Sequence, residues 1–188
     1  MVLVAAVAVG FAAAWIRIKF NGRQLKTIEL RHSWLVIAAV LPQILVFQIS
    51  AVGQFLPETL VPIVLVSSQA LLVIFTALNF DRPGMSVMGS GLLANFLVIV
   101  FNGGWMPVSP EIVHRILPSL PADFPLIDRR LGLSKDWIIP AGEMNLPWLS
   151  DRFTLPGWVP YQFAFSFGDI LISIGAFFLL WSLSDPGN

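Results

Sequence analysis

Five apolar runs alternate with polar stretches along the chain. They cover residues 2–16, 34–52, 60–79, 85–101 and 163–183. None contains Lys, Arg or His, and Asp169 is the only acid among them. About 20 mostly apolar residues cross a hydrocarbon core about 30 Å thick. The pattern therefore predicts an all-α membrane protein of five transmembrane helices, one integral membrane domain over residues 1–188. The first run lacks a positively charged segment ahead of it and reads as a retained span rather than a signal peptide.

The polar stretch over 102–162 differs from the other three. It holds nine of the fourteen prolines and four of the seven tryptophans, with five basic and six acidic side chains. So many prolines preclude long helices, and so many aromatic and aliphatic residues argue against a disordered linker. It reads as an ordered outer cap lying partly on the membrane surface. Within it, Ser109, Pro110 and Glu111 suit the N-cap and first turn of a helix. Ile112, Ile116 and Leu117 give that short helix one apolar side, expected to lie in the interface.

Basic residues orient the spans, because cytoplasmic loops collect Lys and Arg. Arg17, Lys19, Arg23, Lys26 and Arg31 follow the first run, and Arg82 follows the third, whereas the loop after the second has none. The N-terminus and residues 102–162 are thus expected outside, and the C-terminus inside, in the cell's inner (plasma) membrane. Trp15, Trp34 and Trp181 fall at expected inner ends; Trp105, Trp158 and Tyr161 fall at outer ends, as an aromatic belt requires.

Composition agrees with this picture. The chain is 56% hydrophobic and 12% charged, with mean hydropathy +0.80, against about 25% charged residues in soluble domains. Eleven basic and eleven acidic residues cancel, which gives nucleic acid no electrostatic footing. There are no cysteines, so disulfides and thiolate chemistry are excluded.

Small residues suggest where helices meet. Ala6, Gly10 and Ala14 recur in the first run and Ser86, Ser90 and Ala94 in the fourth, and such stripes allow close backbone approach in lipid. The fourth run ends in "FNGGWMPVSPE", where Asn102 and Gly103 can take the left-handed conformation that closes a helix. Ser166 and Asp169 have capping-box spacing. Asp169 is then either the first-turn acid of a helix starting at Ser166 or, if that helix starts nearer Tyr161, a buried acid in need of a partner.

The sequence resembles an uncharacterised bacterial family of small multi-pass membrane proteins, a domain of unknown function. The resemblance rests on "NGRQLKTIELRHSWLVIAAVLPQ", on the motif "NGGWMPVS" with Asn102, Gly103, Gly104, Met106 and Pro107, and on Asp151, Ser166, Gly168 and Asp169 in "LSDRFTLP" and "FSFGDILISIG". It implies a membrane location and this architecture, but no catalytic residue.

Chemistry is sparse. His32 and His114 have no second histidine at ligand spacing, and no metalloprotease, nucleophile-elbow or phosphate-loop motif occurs. No catalytic, metal or cofactor ligand set is legible. The candidate polar positions are Asp169, Asp151, Ser166, Asn102 and His114. Gly103, Gly104, Met106, Pro107 and Gly168 are candidates for structural roles. Two functional classes remain open. One is an accessory or scaffold subunit whose partners are membrane lipids and other membrane protein subunits. The other is an enzyme or transporter for a lipid-like or small molecule, with Asp151 and Asp169 lining a pocket under the cap.

Overall fold

A computed structural model describes residues 2–21, 27–121 and 124–184. Arg23 and Lys26 of the basic loop and the tail 185–188 lie outside the described residues. The element order is α1 (Val2–Asn21), α2 (Trp34–Phe47), α3 (Ser50–Gly53), α4 (Val61–Leu78), α5 (Met85–Phe101), β1 (Met106–Val108), α6 (Pro110–Ile116), β2 (Arg129–Arg130), β3 (Asp136–Ile138), β4 (Phe153–Thr154), β5 (Ala164–Phe165) and α7 (Phe167–Trp181). Single 3-10 turns cover Ala141–Glu143 and Ser182–Ser184.

The chain is mostly helical but not all-α. Residues 102–162 hold a three-stranded sheet of order β1-β3-β2, and β4 pairs with β5. The apolar runs also differ from five uniform spans. Among the described residues, two helices, Val61–Leu78 and Phe167–Ser184, are long and apolar enough to cross a membrane. Helix α5 matches the 85–101 run but has 17 residues, and α2 has 14, a rise of about 21 Å. The 34–52 run breaks because Ile49 is extended (φ −99°, ψ 96°). The last helix starts at Phe167 rather than 163, since residues 164–165 are spent on β5. The first helix continues beyond residue 16 to Asn21.

The principal helices pack side by side in the order α2-α4-α5-α7-α1. Glycines set the α5–α7 spacing. A Cβ on Gly91 would come 2.5 Å from the Gly168 carbonyl, and one on Gly175 would come 2.5 Å from the Met88 amide. The expected stripe Ser86-Ser90-Ala94 is not the contact face. Ser86 and Ser90 are exposed, and the Ser90 hydroxyl donates to the Ser86 carbonyl at 2.9 Å. The α1 stripe does pack: Ala14 is buried, and a Cβ on Gly10 would meet Leu180 Cβ at 3.0 Å.

Helix ends sort by charge. Arg17 lies 4.2 Å over the Trp181 ring, and Arg31 and Arg82 flank Asp81 at 3.6 and 3.7 Å. Buried Asn79 locks this end: it accepts from the Arg31 amide at 2.7 Å and donates to the Arg31 carbonyl at 3.0 Å. The opposite end carries the mixed lobe of residues 102–162. There Val46, Val61 and Trp105 form one buried cluster, and Leu65, Val98, Ile99 and Met106 another.

The lobe has its own core of Val108, Ile112, Val113, Leu126 and Ile138. Helix α6 forms where expected, with the Ser109 hydroxyl accepting from the Ile112 amide at 3.4 Å. Its buried side is Ile112 and Val113, facing the sheet, while Leu117 is exposed. The expected apolar side of Ile112, Ile116 and Leu117 is thus divided, with Ile112 in the lobe core, Ile116 half-buried and Leu117 exposed. Trp105 is buried against Trp137, with ring centroids 5.1 Å apart, and so leaves the expected outer belt.

Candidate functional site: a buried polar seam where the lobe meets the helices

Strand β1 organises the site, and the "NGGWMPVS" motif builds it. Asn102 stays in an ordinary backbone conformation (φ −113°). Gly103 and Gly104 take the left-handed one, at φ 70° and 86°, which glycine adopts without penalty. The Gly104 amide then closes α5 by donating to the Ile99 carbonyl at 2.8 Å. A side chain at 104 would also strike Pro62, 2.5 Å away. The Asn102 amide donates to the Val98 and Asn145 carbonyls at 2.7 and 2.8 Å and accepts from the Asn145 amide at 3.0 Å. Asn145, which the sequence did not mark, returns a bond to the Phe101 carbonyl at 2.9 Å.

Beyond the glycines, β1 is paired on both sides. The Met106 amide donates to the Lys135 carbonyl at 3.1 Å, and the Asp151 amide donates to the Pro107 carbonyl at 3.2 Å. Pro107 opposes Trp137 in the β1–β3 register, and Val108 bridges to Asp151. The strand thus brings together side chains from two distant segments. Lys135 Nζ lies 2.7 Å from Asp151 Oδ2 and 3.4 Å from Asp136 Oδ1. Asp151 is 1% exposed, and its Oδ1 has no hydrogen-bond partner among the described residues.

Electrostatics follow from that burial. Desolvation pushes the Asp151 carboxyl up to about 8, against the pull of Lys135 and with help from Asp136 and Asp169. Desolvation is also the largest influence on Lys135 and opposes its charge, but Asp151, Asp136 and Asp169 together outweigh it and raise its pKa. The ammonium is therefore fixed as the cation of the cluster, whereas the carboxyl facing it titrates near neutrality. A third of the Lys135 side-chain surface remains open, so the cluster is most open on the lysine side.

A second knot lies at the start of α7. The Ser166 hydroxyl accepts from the Asp169 amide at 3.0 Å, and Asp169 Oδ2 accepts from the Ser166 amide at 3.0 Å, a complete capping box. Asn95 of α5 joins it, donating to Asp169 Oδ1 at 2.9 Å and accepting from the Ser166 hydroxyl at 2.8 Å. Of the two readings of Asp169, the cap holds. Gly168 leaves room for the Asn95 side chain, which a Cβ there would overlap.

The structure thus sets Asp151 and Asp136 against Lys135, with Asp169 acting on that pair by its charge, and joins Ser166 with Asp169. Asn102 stands apart as a helix clamp. His114, on α6, makes no hydrogen bond to Asp151 or Asp169 among the described residues. The sequence reading missed Lys135 as the counter-charge and Asn95 as the link between helices. No group of three or more His, Asp or Glu is arranged to hold a metal ion among the described residues. Two apolar grooves lie on the helix row, away from the polar seam. One, of about 440 Å³, is between α1 and α7 beside Val9 and Phe178; the other, of about 220 Å³, is between α4 and α5 beside Phe80 and Leu93.

Neither the curated proteins nor the solved structures include a match to this sequence. A family match covers residues 27–181, from the loop before α2 to the last residue of α7. It takes in the glycine closure, the Lys135–Asp151 pair and the Asn95–Ser166–Asp169 knot. The chain belongs to the family of unknown function DUF5317.

Proposed function

We propose that this is a multi-pass inner-membrane protein of a bacterial cell that serves as an accessory or scaffold subunit of a larger membrane assembly. In this reading all five long helices span, with the lobe outside, the N-terminus outside and the C-terminus in the cytoplasm. The sorting of Arg17, Arg31 and Arg82 to one end of the row and the lobe to the other supports that orientation. Helix α1, of 20 residues, rises about 30 Å. The shorter α2 continues through α3 toward the lobe.

One observation carries the subunit reading: the ionisable groups of the seam are engaged in holding the structure together. Asp169 is occupied by a capping box and by Asn95, and Asp151 by Lys135 and a backbone pairing to β1. What the helix row offers outward is apolar: Ile37, Leu41 and Ile44 on α2, and Ile63 and Ile74 on α4, are exposed. Such faces suit lipid and neighbouring helices. The test is gentle solubilisation from the native host and identification of the co-purifying material. A stoichiometric set of membrane subunits is expected. A lone protein carrying a lipid or metabolite would favour the second reading.

That second reading is an enzyme or transporter acting on a lipid-like or small molecule under the lobe. It draws on Asp151 Oδ1, which has no hydrogen-bond partner among the described residues, beside a lysine that keeps a third of its surface open. A buried unsatisfied oxygen is unusual and calls for a role. Asp151→Asn separates the readings: a stable variant that loses the cellular phenotype favours chemistry at this position.

A further inference from the structure

The loop joining β4 to β5 has a composition that neither seam nor core explains. It reads "LPGWVPYQF" over residues 155–163, with no charged residue. Trp158 is 83% exposed and Tyr161 66%. Large aromatic rings at the tip of a hairpin in water would be poorly placed, since exposed apolar clusters mark contact surfaces.

The tip is also held in shape. The Gln162 side-chain amide donates to the Pro156 carbonyl at 3.0 Å and to the Val159 carbonyl at 2.7 Å. The Val159 amide donates to the Pro156 carbonyl at 2.9 Å. Pro156 and Pro160 fix two further backbone angles. At the foot, Phe153 opposes Phe165 in the β4–β5 pair with ring centroids 5.7 Å apart, and Phe163 stacks on Phe165 at 5.9 Å. The two exposed rings are therefore presented by a braced support, so little ordering cost remains on binding.

We infer that this hairpin is a phospholipid anchor, with Trp158 and Tyr161 seated among the headgroups of the outer leaflet. The inference rests on the membrane reading above. Continuity with α7 selects lipid over a protein partner. Tyr161 is five residues before Ser166, the cap of a helix long and apolar enough to cross a membrane. Five extended residues reach at most roughly 18 Å, which holds Tyr161 near the bilayer surface, and the bonds from Gln162 and Val159 to Pro156 fold Trp158 back toward it instead of letting the loop extend. Trp and Tyr are the residues enriched at that level, with an apolar body and a polar edge. Exposed Arg152 at the foot, its guanidinium 5.9 Å over the Phe153 ring, adds a cation suited to lipid phosphate.

The cysteine-free chain makes the test direct. Single cysteines replace Trp158, Tyr161, exposed Ile63 on α4 and exposed Glu111 on α6; each carries a nitroxide. The protein is reconstituted in vesicles of phosphatidylcholine and phosphatidylglycerol. Collisions with oxygen, which concentrates in lipid, are compared with those of a water-soluble nickel chelate. Labels at 158 and 161 should favour oxygen, reading between Ile63 in lipid and Glu111 in water. Labels at 158 and 161 as open to nickel as Glu111 would overturn the anchor while Ile63 in lipid left the membrane reading standing. Labels shielded from both reagents would overturn it in favour of a protein contact. An aqueous reading at Ile63 would remove both.

Discussion

Lys135 Nζ sits 2.7 Å from Oδ2 of Asp151, and the two residues flank opposite sides of the same short strand, β1. This lysine-to-carboxyl hydrogen bond therefore clamps the lobe across its organising strand. Lys135→Met would leave the 1%-exposed Asp151 carboxyl without its side-chain partner. A buried polar group stripped of its partner costs about 1–3 kcal/mol. Thermal unfolding in detergent at pH 7 should show a loss of about 2 kcal/mol, and an unchanged midpoint would contradict the clamp.

The same pair gives a pH dependence with a defined sign. Folded Asp151 keeps its proton up to about 8, against 3.8 for the free side chain. A raised folded-state pKa contributes stability that is complete below the unfolded value and lost as pH rises through the folded one. Lys135, raised from 10.5, stays protonated over that window. The midpoint should thus fall between pH 4 and 8. Asp151→Asn, which still offers Lys135 an acceptor oxygen, should flatten that fall. A wild-type midpoint that rises over this window would contradict the assignment.

Gly168→Ala tests the helix contact. The added methyl would overlap the Asn95 side chain and approach the Gly91 carbonyl at 2.7 Å. Overpacking of this kind costs about 1–3 kcal/mol. Asn95→Ala on the wild-type background should cost less than Gly168→Ala, because it removes bonds without forcing the helices apart. Resistance to denaturation by dodecyl sulfate should rank wild type, Asn95→Ala, Gly168→Ala from highest to lowest.

These residues also show what the sequence made legible. Helices α4 and α5 were readable to within a residue, because apolar runs bounded by Pro, Gly and charge are local signals. The capping box was readable because Ser166 and Asp169 are three residues apart. Lys135 was not, since its partner is 16 residues on, and neither was Asn95, whose partners lie 71 and 74 residues away. Strands of two or three residues are too short for an alternating pattern. Trp105 misled the belt assignment because a buried, stacked indole and an interfacial one look alike in sequence. The fourth-run stripe misled for a similar reason. Serines and glycines are both small, but it is glycines, Gly84, Gly91, Gly168 and Gly175, that lie where a Cβ would strike the backbone of the facing helix.

Asn102→Ala should separate the two ends of the motif. It removes a clamp between the Val98 and Asn145 carbonyls and the Asn145 amide without touching the Lys135–Asp151 pair. A loss of about 1–3 kcal/mol is expected, with the fall in midpoint between pH 4 and 8 retained. A variant that lost the pH dependence as well would mean that the clamp and the Lys135–Asp151 contact act as one unit.

The proposal that the helix row spans the membrane with the lobe outside is tested most directly by labelling single cysteines in intact cells. Glu58 and Glu111 are the outer sites and Glu29 and Asp81 the inner ones, each replaced by Cys in this cysteine-free chain. An impermeant maleimide should modify positions 58 and 111 in whole cells and reach 29 and 81 only after lysis. Labelling of 29 or 81 in intact cells, or protection of 111, would contradict it.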